Sequence, residues 1–350
     1  MRIDRIIMDY KGKFPIFDPR AIQTYPASSR TNKVKIKDLL EPAAAMQMNI
    51  DLPQKTVADI DTIAAATVEM HKAGKPVILF TGAHLVKNGL GLLIADLIRR
   101  GLLNMVSGNG ATSIHDFELA LFGETSEYVP QALEKGQFGM AYEFKYINAA
   151  LSIGNKYKLG YGESLGKMIC EQSFRDEVMS TLDPADSKMV FKNPEVSMIA
   201  ACRDKGIPFT VHVSIGTDVI DQHANFDGEA KGGCSGRDFL IYTSQVGKLK
   251  DGGLVLNIGS AITGAEVLLK AVSMVANAGS GPKGIITADF DLRSFDPKQS
   301  VNESSQGYYF RDQKSVVTRI PEAFGGKGCY IEGNQKQTVV MLYKKIIEKL

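Results

Sequence analysis

One pattern constrains the fold of this chain most strongly: short apolar runs that end in glycine-containing loops and lead into helical segments. Residues 76–110 hold the first complete unit, in which an apolar run stops at Thr81 and Gly82, a helical pattern closes at Gly101, and a second apolar run stops at 107–110. Runs this short are typical of buried strands. Glycine allows sharp turns that bring the backbone close to a ligand.

The same alternation returns in the second half of the chain. Apolar runs at 207–213, 253–257 and 284–288 are separated by segments of helical periodicity at 235–250 and 265–277. Strands that alternate with helices predict an α/β fold, with a parallel sheet covered by helices on both faces. The carboxyl ends of such strands meet at one edge of the sheet, where ligands bind.

The remaining segments complete the predicted organisation. Residues 1–50 lack a clear period and are expected to form an N-terminal arm, whereas 114–174 predicts a series of helices, one of them over 127–133. Residues 293–312 are polar and predict a long loop, and 338–343 predicts a last strand before a short terminal helix. No linker interrupts the chain, so we expect a single α/β domain over residues 1–350.

Composition excludes several classes of protein. A net charge of +2 with scattered Lys and Arg argues against a nucleic-acid partner. No apolar run approaches the length of a membrane span, and the N-terminal residues lack a signal-peptide pattern, so a cytoplasmic protein without a membrane partner is expected. The four cysteines lie far apart without a CxxC pair, which predicts neither a zinc site nor a disulfide framework.

Four strand ends are expected to converge at the carboxyl edge of the sheet: residues 81–84, 107–110, 212–218 and 257–260. Glycine-containing loops that precede helices favour an anionic group, most often a nucleotide phosphate. None of these loops carries a GxGxxG motif, so ordinary loop glycines are an equal alternative for any one of them.

Histidines and acids lie in or just after these loops. The histidines are His84, His115, His212 and His223, and no HxH or HxxxH spacing supports a metal site, so hydrogen bonding or proton transfer is expected. The acids that follow the later strands include Asp218, Asp221, Asp289 and Asp291. They suit a cation, a ribose or an amine, and solvated turn acids are the alternative.

On these residues the chain resembles the deoxyhypusine synthase family over residues 75–320. The family's Thr-Ser-Asn loop is matched by Thr81 and the segment 84–89, and its Thr-Thr-Ala-Gly-Gly loop by 106–111. His115, Asp116 and Glu118 stand where that family opens the next helix with acidic residues. Three later matches are Gly216-Thr217-Asp218, Gly259-Ser260 with Ala265-Glu266, and Thr287-Ala288-Asp289.

The resemblance implies a Rossmann-like sheet with NAD in the strand-edge crevice, a small-molecule amine substrate and a homo-oligomer, either dimer or tetramer. Members of the family oxidise spermidine and move its aminobutyl group through an imine on a lysine, in a site between subunits. Cofactor contacts are then expected at Thr81, Gly82, His84, Gly108, Asn109, Gly110, Asp218, Gly259 and Ser260. Substrate contacts are expected at Asp221, His223, Glu266, Asp289 and Asp291, and catalytic roles at His115, Asp116, His212, Lys314 and Arg319.

One departure bears on the reaction. The family's catalytic segment is most similar to residues 312–320, where its lysine becomes Arg319 and its tryptophan becomes Val317. A guanidinium stays protonated and cannot form an imine. Lys314 takes that role only if the segment shifts in register, so true deoxyhypusine synthesis is not expected.

The preferred hypothesis is therefore an NAD-dependent enzyme that acts on an amine or polyamine-like molecule. A second hypothesis is a catalytically degenerate protein that kept the nucleotide or ligand crevice. A third is a thiol or serine hydrolase, because Cys234 lies within Gly232-Gly233-Cys234-Ser235-Gly236, expected just before a helix where a thiolate is stabilised. No GxSxG motif is present to support a serine nucleophile.

Overall fold

The computed structural model of this protein describes residues 10–184 and 189–350. Its strands are β1 (Asn32–Lys35), β2 (Val77–Thr81), β3 (Met105–Asn109), β4 (Glu124–Glu127), β5 (Phe209–His212), β6 (Leu254–Ile258), β7 (Ile286–Asp291) and β8 (Lys327–Glu332). Its first helices are α1 (Pro42–Gln47), α2 (Gln54–Lys72), α3 (Ala83–Lys87), α4 (Gly91–Arg99), α5 (Gly110–Phe122), α6 (Val129–Glu134), α7 (Phe144–Lys156) and α8 (Tyr161–Cys170). The later helices are α9 (Gln172–Met179), α10 (Met198–Lys205), α11 (Gly228–Gly247), α12 (Thr263–Asn277), α13 (Pro297–Val301), α14 (Ile320–Ala323) and α15 (Gln335–Lys349), with a π-helical segment at Gln313–Arg319.

Six strands form one parallel sheet in the order β5-β3-β2-β6-β7-β8. Counted along the chain among these six, the order is 3-2-1-4-5-6, which is that of the Rossmann fold. The chain builds outward from β2 in one direction and then outward from β6 in the other. The strand order therefore reverses between β2 and β6.

Alternate residues of the central strands pack into separate cores on the two faces of the sheet. Val77 and Leu79 of β2 join one apolar cluster with Ile60 of α2. Ile78 and Phe80, on the opposite face, belong to a second cluster formed mainly with α11, α12 and the π-helical segment. The predicted parallel α/β sheet with helices on both faces is confirmed.

The prediction of a last strand at 338–343 is wrong, because this segment lies inside α15. Its β-branched residues suggested a strand, yet Thr338, Val339, Leu342 and Ile346 are buried at helical spacing, and the Asn334 side chain caps the helix. The last strand is β8, which lies at the edge of the sheet. Half of its residues are exposed, so it lacks the apolar run by which the inner strands were predicted.

The N-terminal arm contributes β1, which pairs antiparallel with β4 outside the main sheet. The predicted helix over 127–133 therefore starts too early. Glu127 is the last residue of β4, and α6 begins at Val129. The predicted loop at 293–312 contains α13 and a 3-10 turn at Gln306–Tyr309. Within the described ranges, every helix is too short or too polar to cross a membrane.

Candidate functional site

The loops after β2 and β6 touch each other at the reversal point of the sheet. The backbone N–H of Gly82 donates to the carbonyl of Ile258 at 3.0 Å. A Cβ atom on Gly82 would lie 2.1 Å from the carbonyl oxygen of Gly259, whose φ is +65°. Only glycine at position 82 allows this approach. A Rossmann sheet binds its ligand in the crevice at this point, so Thr81, Gly82, Gly259 and Ser260 border the expected site.

Behind this contact lie two buried polar groups with unused hydrogen-bonding capacity. Asn257 donates through Nδ2 to the carbonyl of Ser260 at 3.0 Å and to Asp289 Oδ1 at 2.6 Å. Asn257 Oδ1 and Asp289 Oδ2 have no partner among the described residues. Burial, with the charge of Asp312 adding to it, raises the pKa of Asp289 well above its usual range. The pair therefore offers an acceptor and, once Asp289 is protonated, a donor.

The loop after β3 brings the start of α5 against the loop after β5. Asn109 Oδ1 accepts from the backbone N–H of Thr112 at 2.9 Å and so caps α5. A Cβ on Gly108 would lie 2.8 Å from the Thr112 Cβ, and a Cβ on Gly110 would lie 2.0 Å from Asp218 Oδ2. The two glycines permit tight packing here, and Asn109 stands where many NAD-binding folds place an acid for the ribose.

Asp218 and Asp221 share a buried lysine, Lys231. Its Nζ lies 2.8 Å from Asp218 Oδ2 and 2.6 Å from Asp221 Oδ1, and the lysine is 1% exposed. Burial raises the pKa of Asp218, and the charge of Lys231 opposes that rise. The two acids assigned by resemblance to the cofactor and the substrate amine are thus already partnered by an internal ammonium.

A cavity of about 230 Å³ opens beside this cluster, between α5, α3 and the N-terminal arm. Its lining includes seven ionisable groups: Arg30, Lys33, Lys87, His115, Glu118, Glu127 and Asp218. Arg30 forms a buried ion pair with Glu118, and His115 Nδ1 lies 2.7 Å from Thr125 Oγ1. His84 is exposed on α3, and its pKa is lowered by partial burial and by the charges of Lys87 and His115. Of the two predicted histidines, His115 thus lines this cavity, and His84 is outside the lining but feels the charges of two of its residues.

At the end of β7, Asp291 is engaged by an arginine rather than left open. Arg293 NH2 lies 2.9 Å from Asp291 Oδ2 and also pairs with Asp312. Burial favours a higher pKa for Asp291, but the hydrogen bonds and charge of Arg293 outweigh it, so its pKa is lowered. Asp291 therefore remains charged and partnered at neutral pH.

Lys314 and Arg319 lie in very different surroundings on the π-helical segment. Lys314 is buried, with its Nζ 3.4 Å from the ring centroid of Tyr308, and burial followed by the charges of Arg319 and Arg311 lowers its pKa. Arg319 is exposed, with its Cζ 5.9 Å from the same ring. Of the two, Lys314 is the side chain with an amine biased toward the neutral form.

The segment that carries Lys314 is tied to the loop after β6. The backbone N–H of Asp312 donates to the carbonyl of Ala261 at 3.3 Å. Arg311 Nε lies 3.7 Å from Glu266 Oε1 in the first turn of α12, which places the predicted substrate residue Glu266 next to this segment. Lys314 and Glu266 are therefore on the β6 side of the crevice.

Asp116 belongs to α5, and its side chain points away from the crevice to the start of α10. Its carboxylate accepts from Ser197 Oγ at 2.5 Å and from the backbone N–H of Met198 at 2.8 Å. Burial raises its pKa to about 6, against the effect of these hydrogen bonds. These contacts are those of a group that anchors a helix start.

His212 and His223 are both buried. His212 packs against Phe80 and Tyr242, with ring centroids 5.6 and 5.2 Å away, and burial lowers its pKa to about 3. His223 Nε2 lies 2.8 Å from the carbonyl oxygen of Gly139, and burial lowers its pKa as well. Both imidazoles are neutral at pH 7. Because both side chains are buried, neither is open to a ligand for proton transfer in this structure.

The expected placement of Cys234 before a helix is wrong. Cys234 lies inside α11, which begins at Gly228 because the Asp227 side chain caps it. The thiol is fully buried, 3.5 Å from the carbonyl oxygen of Leu151, and burial raises its pKa. The thiolate form is therefore disfavoured, and this position does not support a nucleophilic cysteine.

Several residues that shape the site were not singled out from the sequence. Lys231, Arg30, Lys33 and Lys87 carry no local signal, because an isolated basic residue in a sequence is most often on the surface. Their positions depend on contacts between segments far apart in the chain. Among the described residues, no group of three or more His, Cys, Asp and Glu side chains could hold a metal ion.

No protein-family model and no curated protein sequence matches this chain. Solved structures do match, among them unliganded AgrE, with a TM-score of 0.50 at 12% identity over 87% of this chain and 34% of AgrE. An LOR/SDH candidate from Methanococcus maripaludis S2 aligns with a TM-score of 0.47 at 16% identity, over 86% of this chain and 72% of its own. A deoxyhypusine synthase candidate from Entamoeba histolytica aligns with a TM-score of 0.38 at 7% identity, over 93% and 97%.

At such low identity, these similarities bear on the fold alone. The chain spans about a third of the length of AgrE and of ArgZ, a cyanobacterial arginine dihydrolase of which it covers 32%. The alignment with AgrE covers 87% of this chain and supports a shared fold. This chain has a Rossmann-like α/β fold, with its candidate site at the carboxyl edge between β2 and β6.

Proposed function

We propose that this protein is an NAD-dependent enzyme that acts on a small amine-bearing molecule. The observation that carries the proposal is the reversal of strand order between β2 and β6, with Gly82 and Gly259 in contact at that point. Crevices at such reversal points are the common binding sites of open parallel sheets.

The groups around the crevice suit a dinucleotide. Helices α5 and α12 begin beside it, and the positive end of a helix dipole favours a pyrophosphate. Asn257 Oδ1 and Asp289 Oδ2 are buried beneath the crevice, so they would reach the hydroxyl groups of a ribose only if the loops above them moved apart. AgrE, which shares this fold, is known in a ternary complex with ornithine and NAD+, so the fold is compatible with such a pair of ligands. Bound NAD would accept a hydride from the substrate.

Lys314 is the residue we assign to any covalent step on the amine-bearing substrate. The deoxyhypusine-synthase resemblance calls for an unprotonated lysine amine, which Arg319 cannot supply. The lowered pKa of Lys314 and its position beside the β6 loop support this assignment.

Calorimetric titration with NAD tests the first half of the proposal. We expect saturable binding to the wild-type protein and to Gly236→Ala, a control at an exposed helix position with open space around it. Absence of binding at millimolar NAD would overturn the proposal. Formation of NADH is then measured by absorbance with a panel of diamines, polyamines and amino acids.

A degenerate ligand-binding protein remains the second candidate, and the pairing of Lys231 with Asp218 and Asp221 favours it. An acid pair that already shares one ammonium attracts a second ammonium less than a free pair would. This candidate predicts NAD binding without reduction for every amine offered. The panel above separates it from the enzyme.

We also propose that the protein forms a homo-oligomer through the carboxyl edge of the sheet. Three loops at that edge expose aliphatic side chains: Ile215 is 56%, Ile262 is 65% and Leu292 is 69% exposed. Apolar groups gathered at one edge favour burial against a partner. Light scattering tests this, and a monomer mass at micromolar concentration contradicts it.

A further inference from the structure

The charged side chains that line the cavity beside α5 differ in whether they have partners. Each acid in the lining has an ion-pair or hydrogen-bond partner: Glu118 pairs with Arg30, Glu127 accepts from the Tyr25 hydroxyl, and Asp218 pairs with Lys231. The cavity therefore offers no unpartnered carboxylate among the described residues to a cationic ligand. Part of its positive charge has no such partner.

Lys33 and Lys87 supply that positive charge. Neither forms an ion pair within the described chain, and Lys33 Nζ lies over the ring of Tyr128, 5.2 Å from its centroid. Partial burial, followed by the charge of Lys33, lowers the pKa of Lys87. The two ammonium groups repel each other, and an anion between them would relieve that repulsion.

The first turns of α5 form one wall of the cavity. Ala111, Ile114 and His115 of this 13-residue helix line it at the spacing of one lateral helix face. His84, which is outside the lining, has its pKa lowered by partial burial and then by the charges of Lys87 and His115. Lys33 and Lys87 therefore supply the positive charge that an anion would meet in this cavity.

These features disfavour a polyamine, which carries positive charge along its whole length. The cavity of about 230 Å³ is also smaller than the roughly 300–1,000 Å³ that enclose a drug-sized ligand, so it suits one end group rather than a dinucleotide. Asp218 lines the cavity and touches Gly110 at the crevice, so the two spaces adjoin.

We propose that this cavity binds the carboxylate of the substrate through Lys33 and Lys87, so that the substrate is an amino acid rather than a polyamine. The assignment rests on the proposed function, since it names the substrate class for the same crevice. The amine of that substrate then points toward the crevice and the hydride-accepting face of the cofactor.

Calorimetry on the NAD-saturated protein tests the assignment with ornithine and putrescine, which differ by one carboxylate. We expect ornithine to bind at least about tenfold more tightly than putrescine, as one charge-assisted contact gives. The double variant Lys33→Ala/Lys87→Ala is expected to lose this preference. The control Lys37→Ala/Lys72→Ala removes two positive charges at exposed positions elsewhere and is expected to keep it.

Other outcomes separate the sources of the anion. Equal binding of ornithine and putrescine overturns the proposal, as does a preference that survives in the double variant. If the double variant weakens NAD about tenfold instead, or if inorganic phosphate competes only with NAD, the lysines hold a cofactor phosphate and the carboxylate assignment is wrong. If NAD fails to bind but the lysine-dependent preference for ornithine is present without it, this inference stands and the NAD-dependent function falls.

Discussion

Gly82 and Gly259 lie so close that a Cβ on the first would stand 2.1 Å from the carbonyl oxygen of the second. Because the obstructing atom belongs to the backbone, the loops must separate to admit any side chain. We expect Gly82→Ala to lower the free energy of unfolding by about 2–4 kcal/mol and to weaken NAD binding. Urea denaturation and calorimetry measure the two effects.

Gly236→Ala provides the matched control for that substitution. It lies in α11 with no atom within 4 Å of its added Cβ, so alanine is expected to stabilise the helix by about 0.5–1 kcal/mol. Equal changes in the free energy of unfolding for Gly82→Ala and Gly236→Ala would show that the contact between Gly82 and Gly259 does not exclude a side chain.

Removal of Lys231 leaves two buried carboxylates without their counterion. We expect Lys231→Met to lower the free energy of unfolding by about 3–5 kcal/mol at pH 7, measured by urea denaturation. The triple variant Lys231→Met/Asp218→Asn/Asp221→Asn removes all three charges and is expected to recover most of that loss. A triple variant as unstable as the single one contradicts the assignment of the loss to unpaired charge.

Asp238 gives stability a specific pH dependence. Its Oδ2 accepts from the backbone N–H groups of Gly162 and Val211 at 3.0 and 2.7 Å, and burial raises its pKa to about 8. The folded state therefore holds this proton to higher pH than the unfolded state, whose pKa is near the ordinary 3.8. The contribution of this carboxyl group to the free energy of unfolding is full below pH 4, where it is protonated in both states. That contribution declines as the pH rises toward 8.

We expect wild-type stability to fall relative to Asp238→Asn between pH 5 and 8, by up to about 1.4 kcal/mol per pH unit. The amide keeps an oxygen for both N–H donors and cannot ionise. Urea denaturation at several pH values measures the difference. Parallel pH profiles for the two proteins would contradict a raised pKa at this carboxyl.

Lys314 and Arg319 make opposite predictions for the covalent step. If Lys314 attacks the substrate after its oxidation by NAD, Lys314→Met is expected to abolish the imine that borohydride traps on the wild-type protein, because the attacking amine is gone. The hydride transfer that precedes this attack, and the NADH it forms, does not require the amine. Arg319→Ala, at an exposed position in the same segment, is expected to keep the trapped adduct within about tenfold of wild type. Mass spectrometry after borohydride reduction measures the adduct in both variants, and urea denaturation confirms folding.

A borohydride-trapped adduct retained in Lys314→Met would remove Lys314 from the imine step without affecting NAD binding. Lys314→Arg is the complementary control, since it keeps a positive charge beside Tyr308 but no amine that can form an imine. Loss of the trapped adduct in both variants assigns the effect to the amine.

The sheet was predictable because its inner strands are apolar on both faces. Such a strand shows itself as a continuous apolar run, and the loop that follows it carries the glycines of the crevice. The edge strand β8 lacks this signature, since solvent reaches half of its residues, and β-branched residues in α15 were mistaken for it. Local pattern therefore predicted the elements whose burial is uniform and failed where burial is one-sided.

The chemistry of the site was less accessible from sequence. Lys231 and the pair Lys33 and Lys87 gain their meaning from neighbours distant in the chain, and a sequence shows only that they are lysines. Cys234 was misplaced because a glycine-rich run was taken for a loop, although helix α11 starts earlier and absorbs it. The catalytic role that the resemblance implies for Asp116 stays a prediction, and its contacts with Ser197 and Met198 at the start of a helix could not be read from the sequence.

The reversal of strand order also determines when during synthesis the crevice can exist. Strands β2, β3 and β5 are complete by His212, whereas β6 begins only at Leu254. A nascent chain can thus assemble one side of the sheet while the residue that faces Gly82 has not yet been made. Because both loops of the crevice are needed, a ligand bound there would stabilise the finished molecule and give no help to the N-terminal half alone.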